Sequence, residues 1–379
     1  MVSRETINVI LAGGGTGGHL YPAIALAEEM QKRWPVQITF IGTSYGIEAQ
    51  VLPKTAYGFR RIWMRGLRRK VSFGNLLFPV RFLVSLIQCS LIMLTTRPKV
   101  IIGTGGYVSG PPLVMGLILG IPTVIQEQNS YPGMVNRLLG RWVDQVHVSY
   151  EVSRSYFKNQ PNTYVSGNPV RGDFKKADRK AALEKFNLKP GKTTLFIFGG
   201  SQGAHAINQV VLDSLGRLLH HPALQILWAT GRPDFEEISS RATPFADKIS
   251  VQSYIDDMVS AYAAADFVVC RSGASALSEI AVCGLPSILI PYPYAAGGHQ
   301  QFNAQAMEQA GAAILIPEKE LAPELFAEKV LQLTSSPEKR AKMRAAALNV
   351  AKPTAARDIV DKVQILLNPN NRRNQTKTS

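Results

Sequence analysis

Acidic residues are scarce in this chain. It carries 27 Asp and Glu against 42 Lys and Arg, a formal charge of +15. Such an excess calls for an anionic partner: nucleic acid, an anionic membrane, or a phosphorylated substrate. Aromatic residues do not interleave with basic ones in a nucleic-acid signature, which sets nucleic acid aside. Cysteine is nearly absent. Cys89, Cys270 and Cys283 are odd in number and unpatterned, so neither a disulfide frame nor a zinc site is indicated, and a reducing compartment fits. No D-x-D occurs anywhere, so a metal-bridged diphosphate site is not indicated, and no metal or cofactor is expected. No secretory signal precedes the first apolar run, which gives a cytoplasmic expectation. A membrane span needs about 20 uninterrupted apolar residues, and Pro79 and Arg81 break the one long apolar stretch. The run from Phe82 to Leu94 therefore reads as a core helix.

At 379 residues and 46% apolar content, the chain is globular and long enough for two domains. INVILAG (7–13), VQITFIG (36–42), VIIGTGG (100–106), PTVIQEQN (122–129) and VHVSY (146–150) read as strands between helical patterns. Leu20, Ile24, Ala27 and Met30 give the first helix its spacing, with Pro22 placed in its first turn. The plan restarts at TTLFIFGGSQGAHA (193–206). Ile207, Val210, Val211, Leu215 and Leu218 mark one face of the helix that follows. Strands at 224–231, 248–255, 266–273, 286–292 and 312–317 continue the alternation. This pattern predicts an α/β protein with two Rossmann-like domains facing across a cleft. Residues 1–168 form the first domain and 169–345 the second. A C-terminal helix within 346–379 is expected to pack back on the first domain before a polar tail.

Ligands of open α/β sheets bind beyond the carboxyl ends of the strands, and each glycine-rich motif here follows a strand. GGGTGGH (13–19) is the densest. Its backbone N–H groups at a helix N-terminus favour an anion, although glycines also serve tight turns alone. It satisfies G-x-G-x-x-G, but the second strand ends without the acid a dinucleotide site requires, none occurring before Glu48. His19 follows directly. It reads either as a helix residue bonded to a neighbour or as a general base, since imidazole exchanges protons near neutral pH.

GGSQGA (199–204) is a second turn of this kind, with Ser201 available to a phosphate. In RSGASALSEIAVCG (271–284), Ser272 or Ser275 reads as a helix cap. Glu279 reads as dipole compensation or as a carboxylate for ribose hydroxyls. Gln300 and Gln301 open the next helix with amides suited to sugar hydroxyls. GTGGYVSGPP (103–112) and QEQN (126–129) end first-domain strands as polar loops for a second substrate. Segment 59–82 mixes Arg60, Arg61, Arg65, Arg68, Arg69, Lys70 and Arg81 with Trp63, Leu67, Phe73, Leu76, Leu77, Phe78 and Phe82. This reads as a surface resting on anionic lipid, each basic residue contributing about 1 kcal/mol, or as an ordinary basic face over a buried helix.

Seven motifs now stand in order: GGGTGGH (13–19), GTGGYVSGP (103–111), EQN (127–129), GNPVR (167–171), GGSQGA (199–204), CRSGA…SE (270–279) and HQQFNA (299–304). Together they resemble the MurG family of bacterial N-acetylglucosaminyltransferases over nearly the whole chain. The resemblance implies a GT-B fold and an inverting, metal-independent transfer. UDP-N-acetylglucosamine is the implied donor, and the C4 hydroxyl of lipid I (undecaprenyl-diphospho-N-acetylmuramoyl-pentapeptide) the acceptor, giving lipid II for peptidoglycan synthesis. It also implies a peripheral protein on the cytoplasmic face of the inner membrane. By motif, Thr16, Gly17, Gly18, Asn129 and Arg171 match donor-binding positions, and Ser201 the serine near the diphosphate. Ile255 matches a backbone contact to uracil. Ala274, Ser275, Ala276, Leu277, Ser278 and Glu279 match the ribose and diphosphate turn. Gln300 matches a sugar-hydroxyl contact, Gln301 is its neighbour, and His19 matches the proposed base.

One departure is Gln126, where the family commonly has histidine; it leaves His19 the better base. Other readings of the same residues are a UDP-N-acetylglucosamine 2-epimerase, a transferase to diacylglycerol, and a non-catalytic nucleotide-sugar or membrane-binding protein.

Overall fold

The computed structural model describes residues 6–66, 76–157, 160–171, 174, 177–200 and 203–367. The chain divides into two compact units, residues 1–171 with 352–379, and residues 172–351.

The first unit holds a seven-stranded sheet. Its strands are β1 (Ile7–Gly13), β2 (Val36–Gly42), β3 (Gly58–Arg61), β4 (Val100–Gly105), β5 (Thr123–Glu127), β6 (Gln145–Val148) and β7 (Thr163–Val165). The order is β3-β2-β1-β4-β5-β6-β7 and every pair is parallel. A parallel sheet is covered on both faces, which is why β1 and β4 read as continuous apolar runs. The order reverses between β1 and β4, the place where doubly wound sheets bind ligands. Helix α1 (Gly17–Gln31) leaves β1 and buries Leu20, Ala23, Ile24, Ala27 and Met30. Pro22 is its sixth residue, past the first turn where the sequence placed it, so the Gly18 carbonyl loses its intrahelical donor.

Two strands escaped the sequence reading. β7 is only three residues long. β3 is built from Gly-Phe-Arg-Arg, the start of the basic segment, and lies at the sheet edge. Leu67, Arg68, Arg69, Lys70 and Phe73 lie outside the described residues.

Helix α2 (Phe78–Thr96) corrects a second expectation. It is not a core helix: only Ser85, Cys89 and Met93, four residues apart, are buried. Val80, Leu83, Ile87, Leu91 and Leu94 recur at spacings of three and four along an exposed stripe. By length and composition alone α2 is long and apolar enough to cross a membrane, and Pro79 sits harmlessly at its N-terminus. Helix α3 (Gly110–Ile118) follows the turn after β4.

The second unit holds β8 (Thr193–Phe198), β9 (Leu224–Ala229), β10 (Ile249–Gln252), β11 (Phe267–Cys270), β12 (Ser287–Leu289) and β13 (Ala313–Leu315). The order β10-β9-β8-β11-β12-β13, all parallel, repeats the doubly wound plan. Helix α4 (His205–Leu219) buries the apolar face read from the sequence. Helices α5 (Met258–Ala264), α6 (Ala274–Cys283), α7 (His299–Gln309) and α8 (Pro337–Val350) follow. Because α8 packs on α6, the second unit extends to Ala351 rather than ending at 345. The chain then returns to the first unit. Helix α9 (Ala355–Leu367) packs on α1 and places Ile359, Val360, Val363 and Leu366 in that unit's core.

Candidate active site

In the first unit the two glycine motifs abut. β1 pairs with β4 so that Gly13 lies opposite Gly105 after a register shift. Gly105 has φ +107°, and a Cβ there would stand 2.7 Å from His19 Nδ1. Only glycine both adopts that backbone and leaves room for the imidazole. His19 is then held at its backbone and at its ring. Thr104 Oγ1 donates to the His19 carbonyl at 2.8 Å, and His19 Nδ1 lies 3.0 Å from Gln128 Oε1.

The loop before His19 is not an empty anion cradle. Glu48, fully buried, accepts from Gly15 N–H at 2.8 Å through Oε2. Through Oε1 it accepts from Thr43 N–H at 2.9 Å and Thr43 Oγ1 at 2.7 Å. A Cβ at Gly14 would lie 2.5 Å from its carboxyl carbon. The acid missing from the end of β2 thus serves the loop from within, and no ribose is needed to explain it. Thr16 sits at the N-cap of α1 without a side-chain capping bond, and Gly17 and Gly18 form the first turn.

Glu127 plays a matching structural part. Its buried carboxylate accepts from Asn129 N–H and Nδ2, Gly133 N–H and Asn136 Nδ2 at 2.8–3.1 Å, which fixes Asn129 in place. Gln126, fully buried, donates to Asn168 Oδ1 and accepts from Gln128. Arg171 stacks on Tyr21, its guanidinium carbon 3.5 Å from the ring centroid, and its Nε is buried without a hydrogen-bond partner among the described residues.

In the second unit the turn after β8 is as tight as its glycines suggested. Gly203 has φ +77°, and a Cβ there would lie 2.3 Å from the Thr230 carbonyl oxygen. Ser201 lies outside the described residues. Asn208 in α4 braces this corner: its amide donates to Thr230 O and Asp234, and it accepts from Trp228 Nε1 at 3.0 Å.

The turn into α6 differs from the sequence reading. Gly273 is the N-cap, and neither serine caps it. Ser272 Oγ donates instead to Gln300 O at 2.7 Å, tying α6 to α7. Ser275 Oγ, in the first turn, is buried with no hydrogen-bond partner among the described residues. Ser278 Oγ bonds back to Ala274 O at 2.9 Å, so its hydroxyl is engaged by its own helix. Ala274 and Leu277 are buried and Leu277 lies in the core, while Ala276 is partly exposed. Glu279 accepts from Tyr262 Oη at 3.0 Å. Burial, reinforced by Glu279, holds the Tyr262 hydroxyl well above its ordinary pKa, so it remains a donor. Ile255 is buried beside α5. Gln300 Oε1 accepts from Tyr292 N–H at 2.9 Å, which narrows what its amide can offer a sugar; Gln301 is partly exposed.

The sequence reading singled out neither Gln128, Glu48, Asn208 nor Tyr262. Gln128 is the middle residue of EQN (127–129); Tyr262 and Asn208 give no local signal.

Among the described residues no cluster of three metal-ligating side chains occurs. Two doubly wound units, each with its glycine turns where the strand order reverses, are the architecture of GT-B sugar transferases. The glycosyltransferase family 28 N-terminal domain matches residues 9–148 and the family 28 C-terminal domain residues 194–363. A UDP-N-acetylglucosamine–N-acetylmuramyl-(pentapeptide) pyrophosphoryl-undecaprenol N-acetylglucosamine transferase of Desulforamulus reducens is 41% identical, over 95% of this chain and 99% of its own. The crystal structure of Acinetobacter baumannii MurG is 26% identical with a TM-score of 0.74, over 94% of this chain and 99% of that one. A UDP-N-acetylglucosamine 2-epimerase structure has a TM-score of 0.64 over 95% and 96% of the two chains, but at 12% identity it shares the fold alone. The chain belongs to glycosyltransferase family 28, and within it to the MurG N-acetylglucosaminyltransferases.

Proposed function

We propose that this enzyme transfers N-acetylglucosamine from UDP-N-acetylglucosamine to the C4 hydroxyl of lipid I, releasing UDP and forming lipid II. Identity of 41% to a transferase of that name, over nearly the full length of both chains, carries the reading. The residues at hand support a single displacement. His19 takes the proton of the acceptor hydroxyl, whose oxygen attacks the anomeric carbon. The bond from that carbon to the diphosphate oxygen breaks with inversion, and UDP leaves with the electron pair. Charge growing on the diphosphate is met by backbone N–H groups at the starts of α4 and α6, by Ser201, and by the buried Ser275 hydroxyl. Glu279 binds the ribose hydroxyls, Ile255 the uracil through its backbone, and Gln300 with Gln301 the sugar. Asn129, Arg171 and Thr16 to Gly18 complete the substrate contacts.

The acceptor is lipid-linked, and α2 supplies a surface to meet it. Its exposed stripe lies beside half-exposed Trp63, and Arg81 stacks on Trp63 at 5.6 Å, while Arg60 and Arg61 line the neighbouring edge strand. Apolar side chains enter the acyl boundary while guanidinium groups bind anionic head groups. On this reading the enzyme is a peripheral protein on the cytoplasmic face of the inner membrane.

The test is transfer of labelled sugar from UDP-N-acetylglucosamine to a lipid I analogue without added metal. Labelled lipid with one UDP released per transfer supports the reading. Epimerised donor, or donor bound without turnover, would replace it with the epimerase or the binding protein. In the same assay His19→Ala is expected to lower turnover by at least ~100-fold with donor affinity kept.

A further inference from the structure

We infer that Gln128 is a positioning residue that fixes the proton of neutral His19 on Nδ1 and so presents Nε2 as the basic nitrogen. The inference rests on the reading of His19 as the base.

The direction of the Gln128 amide is set by its surroundings. Its nitrogen donates to Thr104 O at 2.6 Å and Gln126 O at 3.2 Å, and also to Gln126 Oε1. Two of these are backbone carbonyls, which only accept. A reversed amide would set its oxygen against acceptors in a site where Gln128 is fully buried, and buried polar groups left unpaired are costly. The amide oxygen therefore faces His19 Nδ1, at 3.0 Å. An amide oxygen has no proton to give, so Nδ1 must carry one. In neutral imidazole the other nitrogen then holds the lone pair. His19 Nε2 makes no hydrogen bond among the described residues. Without Gln128, neutral imidazole in water favours the proton on Nε2, the form that cannot take the acceptor's proton through that atom.

The same contacts explain the surroundings. Gln126 is held by Gln128 and Asn168 Oδ1, so a chain of three amides ends on the imidazole. Thr104 serves twice: its carbonyl orients Gln128 and its hydroxyl holds the His19 carbonyl.

The experiment is nitrogen NMR of full-length enzyme labelled with 15N-histidine. The chain has six histidines, and the His19 signals are those lost in His19→Gln. Neutral His19 is expected to show a protonated Nδ1 and an unprotonated Nε2 in the wild type. In Gln128→Met the proton moves to Nε2, kcat falls at least ~10-fold, and the KM for UDP-N-acetylglucosamine stays within about twofold. A wild-type His19 protonated on Nε2 overturns the inference, and this result does not depend on any variant folding. Normal kcat in a folded Gln128→Met also overturns it. Failure of the base reading looks different: His19→Ala would then keep its turnover, whatever the tautomer.

Discussion

The hydroxyl of Tyr262 reaches Glu279 Oε2 at 3.0 Å from inside the core of the second unit. Tyr262 is wedged among Phe174, Phe196 and Phe198, whose ring centroids each lie 5.9 Å from its own. The aromatic cluster thus fixes the hydroxyl that holds one oxygen of the Glu279 carboxylate. Tyr262→Phe keeps the packing and removes the donor. It is expected to cost about 1 kcal/mol of stability and to raise the KM for UDP-N-acetylglucosamine several-fold, with kcat little changed. Steady-state kinetics with varied donor, beside urea unfolding, check it.

Glu48 tests the loop that carries His19. Its carboxylate is buried and joins Gly15 to Thr43. Glu48→Ala leaves two backbone donors unpaired and opens a void under three glycines. A loss of about 2–4 kcal/mol is expected from chemical unfolding, together with a fall in turnover. Glu48→Gln keeps one acceptor oxygen and should retain part of both. Full activity and stability in Glu48→Ala would show that the glycine loop holds itself.

His147 sets a pH dependence. Burial, aided by Lys362, pushes its pKa down to about 3, and it stays neutral between Ser166 and Gln145. The unfolded imidazole titrates near ~6.5. Between these values the unfolded chain binds a proton that the folded chain refuses. This contribution is fully present above ~6.5 and is lost as pH falls toward about 3, by at most about 1.4 kcal/mol per pH unit. Urea unfolding from pH 7 to 4 should show a shallower slope for His147→Gln than for the wild type, whatever the absolute stabilities.

The proposed membrane role of the α2 stripe is testable apart from chemistry. Leu83→Glu with Leu91→Glu adds charge to two exposed positions without touching Ser85, Cys89 or Met93. Binding to vesicles of phosphatidylglycerol should weaken at least ~10-fold, while turnover on a water-soluble acceptor analogue stays near normal. Unchanged vesicle binding would remove α2 from the membrane surface.

Much of the scaffold was legible because buried parallel strands write themselves as apolar runs. β1 and β2 begin and end at the residues read for them, β8 begins where the second plan restarts, and the face of α4 follows from helical spacing. β3 and β7 were not legible. An edge strand carries half its contacts, and Gly-Phe-Arg-Arg has the composition of a solvated surface. The helix at 78–96 misled for the opposite reason. Apolar composition signals removal from water, and a chain on its own does not say whether protein or lipid removes it.

The sequence by itself determined the two doubly wound sheets, the glycine turns at their carboxyl ends, the charge of the molecule and the place of His19 at the head of a helix. These follow from local periodicity and from residues that only one backbone shape admits. The tertiary structure decided which groups meet. Gln128 and His19 are 109 residues apart, Glu48 and Gly15 are 33 apart, and Tyr262 and Glu279 sit on different helices. Hydrogen bonds act over about 3 Å and recognise no sequence distance, so which amide holds the imidazole and which acid fills the glycine loop exist only once the strands are packed side by side.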